Sequence, residues 1–411
     1  MITSAPQVGA RSVSAARVAA GCALILLLLV GCDDSPATTP LPDTGAANDT
    51  SDGVDAVDLV EDVPAELPVD SDVAVDEGTD VVEFTWAELA ASYGTIETIA
   101  GTGLIPDKDF NGWNPAAEGG SALAAELSRP HIAVADDAGN VYIADKDAHA
   151  IRRLDTDQTI HTIAGLNLAG DDGDVPGPAT QRHLSSPNGL WAKPDGTLYI
   201  FDLGNDKVRK LTPDGTLSTL FRVGGSDTGR GLWVADDESV AYVACGSQLK
   251  RWTPSGGVTV FANGFVSLGN LYPSDDHTLL ATDRLAHQVF AIDLTTGAKR
   301  LIAGNGTPGG GGEGFLATEA GLEEVRGVWA HPRGGFFLAT HKGGQVWYVD
   351  TAGRIHLFVD GDSKNTHAGD GGPYNAPGPK IAEPRAVTMD RAGNVLITEN
   401  DGGFIRRVNL R

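Results

Sequence analysis

Asp137-Ala138-Gly139-Asn140-Val141-Tyr142-Ile143-Ala144-Asp145 decides the fold, because recognisable copies return five more times along the chain. They are Asp195-Gly196-Thr197-Leu198-Tyr199-Ile200-Phe201-Asp202, Ser239-Val240-Ala241-Tyr242-Val243-Ala244-Cys245, His277-Thr278-Leu279-Leu280-Ala281-Thr282-Asp283, Gly335-Phe336-Phe337-Leu338-Ala339-Thr340-His341 and Ala392-Gly393-Asn394-Val395-Leu396-Ile397-Thr398-Glu399. Each reads as a turn feeding a short strand of β-branched and aromatic residues. A period of about forty to sixty residues marks a repeat architecture, in which each unit buries its faces only against its neighbours.

Within the first unit the strands are expected at His131–Asp136, Asn140–Ala144, Ala150–Asp155 and Thr159–Ala164, and the other units follow suit. Thr95-Ile96-Glu97-Thr98-Ile99-Ala100-Gly101 matches the closing segment Thr159-Ile160-His161-Thr162-Ile163-Ala164-Gly165 but has no unit of its own before it. The last unit conversely stops at Phe404-Ile405-Arg406-Arg407-Val408-Asn409, one strand short. The opening strand is therefore expected to complete the closing sheet, leaving no unpaired end.

The text Arg129-Pro130-His131-Ile132-Ala133-Val134, Ala138 to Asp145, Ala150-Ile151-Arg152-Arg153-Leu154-Asp155 and the Thr-Ile-Ala-Gly ending resembles NHL repeats. The likeness covers residues 94–411; the third and fourth units are degenerate. The resemblance implies an all-β fold, a six-bladed β-propeller closed by the N-terminal strand. It also implies two possible roles, a binding module or a metal-dependent hydrolase or lyase of the gluconolactonase-like kind, between which fold analogy cannot decide.

Ahead of the repeats, Arg11 and Arg17 precede the apolar run Val18–Gly31, too short for a comfortable membrane span but suited to a secretory signal over residues 1–31. Leu29-Val30-Gly31-Cys32 resembles the bacterial lipobox, which implies lipidation of Cys32 and an extracytoplasmic protein, periplasmic or at the cell surface, tied to a membrane. Residues 33–83 hold sixteen Asp/Glu and no Lys/Arg, a composition expected to remain a disordered acidic linker. Thr85-Trp86-Ala87-Glu88 has the form of a capping box, so a short helix within residues 84–93 is expected to dock Trp86 and Leu89 onto the repeats.

The formal charge of −25 falls to −11 over residues 84–411, with 39 acids and 28 bases. Neither balance supplies the basic footprint that nucleic-acid binding requires. No nucleophile elbow, Walker loop or cysteine–histidine pair stands out, and Cys245 reads as a small buried hydrophobe.

In a propeller the start of each inner strand and the end of each second strand meet at one mouth. The register places His131, Asn188, Arg230, Gly269, Arg326 and Arg385 at the first position and Asp145, Asp202, Cys245, Asp283, His341 and Glu399 at the second. Guanidinium groups pair bidentately with carboxylate or phosphate. Arg230, Arg326, Arg385, His131, Asn188 and Asp283 are therefore the candidate binding residues for an unknown protein, glycan or small molecule, with Asp283 a potential partner for both Arg230 and Arg326. No cofactor is expected on the binding-module reading. The enzymatic alternative would need a divalent metal on His341, His131 and Asp145. Long Gly/Asp-rich loops at residues 101–128, 165–186, 304–324 and 360–383 are expected to wall one side of that mouth, whereas Trp191, Trp233, Tyr272 and Trp329 are expected to pack in the core.

Overall fold

The computed structural model describes residues 84–104, 110–225, 228–309, 311–361, 366–378 and 380–411. The expected signal segment, Cys32 and the expected acidic linker lie outside these residues. No helix among the described residues is long and apolar enough to cross a membrane.

Six antiparallel sheets follow one another along the chain as the six blades. Blade 1 comprises Pro130–Ala135, Val141–Asp145, Ala150–Leu154 and Ile160–Ala164, from the inner strand to the outer. Blade 2 comprises Pro187–Ala192, Leu198–Asp202, Lys207–Leu211 and Thr216–Arg222, with a two-residue strand Gly177–Pro178 added at its edge. The degenerate third and fourth units still make complete blades, Leu232–Val234 to Gly257–Ala262 and Leu268–Asp275 to Lys299–Ala303. Blade 5 runs from Val325–Ala330 to Ile355–Val359.

Blade 6 closes the ring. Its inner three strands, Pro384–Met389, Val395–Glu399 and Phe404–Leu410, come from the end of the chain, and its outer strand is Tyr93–Ala100. Ile96 pairs with Val408 and Ala100 with Ile405, while Glu97 Oε1 accepts from Arg407 Nη2 at 2.6 Å. Pairing the two ends removes the exposed edges that an open ring would carry. Tyr93, Ile96, Ile99 and Ala100 are all buried by this strand. Just before it, the helix Trp86–Ser92 starts at a capping box between Thr85 and Glu88. Leu89 is buried, and Trp86 stacks on His356 of blade 5 with ring centroids 4.8 Å apart.

The core lies between neighbouring sheets, as alternation along buried strands requires. Ile132 and Val134 of blade 1, for example, pack with Leu190 and Ile200 of blade 2.

The acid that ends the second strand is a structural device. Its carboxylate accepts the backbone N–H of the residue seventeen or sixteen positions earlier, tying the approach to the inner strand onto the end of the second: Asp145 from Ser128 (2.6 Å), Asp202 from Ser185 (2.7 Å), Asp283 from Ser267 (2.7 Å) and Glu399 from Ala382 (2.9 Å). In the four blades with a long approach loop, the residue two before the first mouth position has positive φ: Arg129 (56°), Ser186 (49°), Glu324 (49°) and Glu383 (43°). This left-handed step is costly for a non-glycine residue and is held here by the surrounding bonds.

The long loops depart from the expectation. Among the described residues, only Arg129, just beyond the first loop, joins the mouth cavity; the loops fold instead over the outer strands of the blade they lead into. The cause is charge. The third strands of blades 2 and 6 carry buried cations, and acids of the loops neutralise them: Arg406 donates to Asp370 at 2.6 Å and Lys207 to Asp171 at 2.5 Å. A buried cation left unpaired would cost several kcal/mol, so these loops are fastened to their own blades.

Candidate functional site

The first-position residues converge. His131, Asn188, Arg230, Arg326 and Arg385 line one cavity of about 300 Å³ together with Arg129, Lys146, Thr228, Arg284 and Asn400. At blade 4 the position is Gly269, where a Cβ would stand 2.3 Å from Thr282 Oγ1, so packing forbids a side chain there. Blade 4 contributes Arg284 instead, one residue beyond its strand-end acid; Lys146 and Asn400 occupy the same position in blades 1 and 6.

Six cations thus face one cavity, and no carboxylate lines it among the described residues. Three of the six are paired from behind: Arg129 with Asp401 at 2.6 Å, Lys146 with Asp147 at 2.7 Å, and Arg326 with Glu324. Arg230, Arg284 and Arg385 have no ion-pair partner among the described residues; Arg284 Nε donates to Ser267 Oγ at 2.9 Å, and Arg230 has no hydrogen bond to any described side chain. Arg129, Arg230, Arg326 and Arg385 each carry a buried nitrogen donor without an acceptor.

The electrostatic consequence is mutual. Burial, followed by the Arg326 and Arg284 charges, pushes Arg230 down to about 9. Burial, with Arg230 and Arg326, holds Arg385 well below the ordinary arginine value. A guanidinium only donates, so at the 2.9 Å contact between Arg385 Nη1 and His131 Nε2 the imidazole nitrogen is the acceptor. The proton of neutral His131 therefore sits on Nδ1 and is donated to Asn188 Oδ1, whose Nδ2 in turn donates to the Gly229 carbonyl at 2.5 Å. This relay links blades 6, 1 and 2 to the approach of blade 3. Burial and the neighbouring cations hold His131 well below its usual range, which keeps it neutral.

Asp283 does not join this cavity. Its two oxygens accept the Val266 and Ser267 N–H groups at 2.8 and 2.7 Å, so Arg326 takes Glu324 as its partner and Arg230 takes none among the described residues. Nor do His341, His131 and Asp145 form a common ligand set. Asp145 is committed to Ser128 and Arg152, and His131 to Arg385 and Asn188. The ligand atoms that converge are those of His341, Glu383 and Asp401, within 4.8 Å of one another.

That trio fits a divalent metal poorly. Lys342 Nζ already donates to Glu383 at 2.6 Å and Arg129 to Asp401 at 2.6 Å. Burial, and then the Arg385 and Arg326 charges, holds His341 far below its usual range, and burial with the adjacent Asp401 raises Glu383. The field here is already positive, the opposite of what a dication requires.

At the far end of the inner strands the aromatic residues meet across the axis. Trp191 of blade 2 lies 6.3 Å from Trp329 of the opposite blade 5, and Tyr272 lies 4.0 Å from Trp329, between ring centroids. They plug the channel below the cationic mouth, and all remain only partly buried.

No protein-family model matches the chain. Among solved structures it is similar to a Bacteroides thetaiotaomicron protein of unknown function, with a TM-score of 0.61 and 17% identity over 77% of this chain and 76% of that one. It is also similar to an auxiliary nutrient binding protein of Bacteroides ovatus, with a TM-score of 0.59 and 13% identity over 78% and 77% of the two chains. In sequence it is 24% identical over 302 residues to the chloroplastic protein Suppressor of Quenching 1 of Arabidopsis thaliana, a match over 71% of this chain. The chain spans only 26% of that relative's length. At these identities the likeness carries the architecture alone, and with six sheets and a closed ring the chain is a six-bladed β-propeller.

Proposed function

We propose that the protein is a binding module of the cell envelope whose propeller mouth captures a small anionic ligand, one bearing carboxylate or phosphate groups. The observation that carries this reading is the donor surplus among the described residues: four buried arginine nitrogens without acceptors, three cations without ion-pair partners, and no lining carboxylate. A protein does not retain uncompensated, half-buried cations crowded around one cavity for stability, since like charges held together out of water repel. An anion entering the cavity supplies the missing acceptors, and each charge-assisted bond is stronger than its neutral counterpart. The Bacteroides ovatus nutrient-binding protein supports a binding use of this fold. Lipidation of Cys32 after removal of residues 1–31 would place the module outside the cytoplasm on an acidic tether of residues 33–83, and loss of palmitate labelling in Cys32→Ser tests this.

The test of the mouth is isothermal titration of the full chain with inorganic phosphate and with citrate. Saturable binding of at least one, weakened about tenfold or more in Arg230→Met, is expected from the loss of one buried charge-assisted pair. Unchanged binding in that variant would remove the site. The competing reading, a metal-dependent hydrolase or lyase, rests on the convergence of His341, Glu383 and Asp401. Elemental analysis showing one tightly held metal per chain, lost in His341→Ala, would reverse the order of the two.

A further inference from the structure

The end of the channel opposite the cationic mouth has its own cavity, of about 580 Å³. Its floor is aromatic, formed by Trp191, Trp233 and Tyr272 from the inner strands of blades 2 to 4. Its rim is acidic. Asp236 and Asp237 lie in the turn after the inner strand of blade 3, and in blade 4 Asp275 ends the inner strand and Asp276 opens the turn after it.

No cation lines this cavity among the described residues, and none of the four carboxylates forms an ion pair with them. The lysine nearest in sequence to the floor, Lys193, donates its ammonium to the Asp236 backbone carbonyl at 2.5 Å and forms no ion pair with the rim carboxylates among the described residues, although its charge reaches Asp237. Asp237 Oδ1 accepts the Ser239 N–H at 2.9 Å, and Asp275 accepts the His277 N–H on Oδ1 at 2.8 Å and the Ser274 hydroxyl on Oδ2 at 3.3 Å, bonds that favour the ionised form of both carboxyls. The charge pattern is thus the reverse of the mouth, and the two ends are separated by the aromatic plug.

We propose that this cavity binds a small organic cation carrying an alkylated ammonium. Such a group is attracted to the electron-rich faces of tryptophan and tyrosine, and its weak hydration lowers the cost of moving it onto an aromatic floor. The rim carboxylates add long-range attraction without needing a fixed hydrogen-bond geometry. An inorganic divalent ion would find no carboxylates converging on a point here, the only such convergence among the described residues being the His341 trio at the other end. The inference is independent of the anion reading of the mouth.

Choline, its uncharged isostere 3,3-dimethylbutan-1-ol, and N-acetylglucosamine are titrated separately into the full chain by calorimetry. The expected result is saturable choline binding, with the isostere weaker by about tenfold or more. Asp236→Asn with Asp276→Asn, two exposed turn positions, should weaken choline by about fivefold while leaving Tm and phosphate binding at the mouth unchanged. Trp233→Leu should abolish it. Equal affinity for choline and its isostere would overturn the proposal, as would saturation by the sugar in place of choline, or no saturation by choline at tens of millimolar.

Discussion

Arg230→Met should make the ligand-free protein more stable while disabling the mouth. Methionine keeps the length and apolar stem of the side chain and removes the charge, so the cavity wall is preserved. The drop of the Arg230 guanidinium from 12.5 to about 9, at about 1.36 kcal/mol per pH unit, caps the cost of its charge at about 5 kcal/mol. Replacing buried charges with apolar groups is stabilising by about 1–4 kcal/mol in practice, so that range is the expected gain. For a propeller of about 330 residues at roughly 2.1 cal/mol/K per residue, the corresponding rise in Tm is about 1–6 °C. The pH dependence has a definite sign. A base whose folded value is depressed costs stability at all pH below that value, and the cost is relieved as pH rises through it. The advantage of the variant is therefore full at pH 7 and shrinks above about pH 9. Phosphate at about a hundred times the wild-type Kd should add about 2.7 kcal/mol to the wild type but at most about 1.4 kcal/mol to a variant that binds tenfold more weakly, and so narrow the gap. Scanning calorimetry at pH 7 and pH 10, with and without phosphate, reads all of this. A variant less stable than the wild type at pH 7 would refute the reasoning, since it would show that Arg230 is held by bonds that stabilise the apo fold.

Three further outcomes follow from the same geometry. His131 should remain the neutral Nδ1–H tautomer from pH 8 to pH 5.5 in long-range proton–nitrogen NMR; because its folded value is depressed, the wild type should lose about 1.4 kcal/mol more per pH unit below about 6.5 than His131→Gln, and a midpoint near 6.5 would contradict this. Ile96→Ala, in the strand that closes the ring, should cost about 2–5 kcal/mol in urea unfolding; a loss under 1 kcal/mol would mean that the closure is not a cooperative part of the fold. Cys245 is buried and its thiol pushed up to about 12, so it should resist iodoacetamide in the native protein and react on unfolding.

Much of the ring was legible because the repeat carries its own register. Once Asp145, Asp202 and Glu399 align, the inner-strand residues His131, Asn188, Arg230, Arg326 and Arg385 align with them, and the structure brings all five to one cavity. Arg284 and Lys146 were missed, although their signal was present: each directly follows an aligned acid, at the point where the chain turns toward the mouth. Glu324 was hidden differently, since it reaches Arg326 from a left-handed backbone step that residue type does not announce. The loops were misplaced because their acids were read against the mouth, whereas the cations they serve, such as Arg406 and Lys207, lie on third strands tens of residues later. The inner-strand aromatics were read as plain core because periodicity distinguishes a buried face from a solvent face, but not a channel plug that is half of each.

The anion-binding claim is tested most directly by anomalous diffraction from crystals of the protein soaked in selenate. The account predicts a selenium peak inside the mouth, within hydrogen-bonding distance of the Arg230 guanidinium and near Arg284, Arg326 and Arg385, and no such peak in Arg230→Met. Selenate bound only at surface lysines and arginines, with the mouth empty in the wild type, would contradict it.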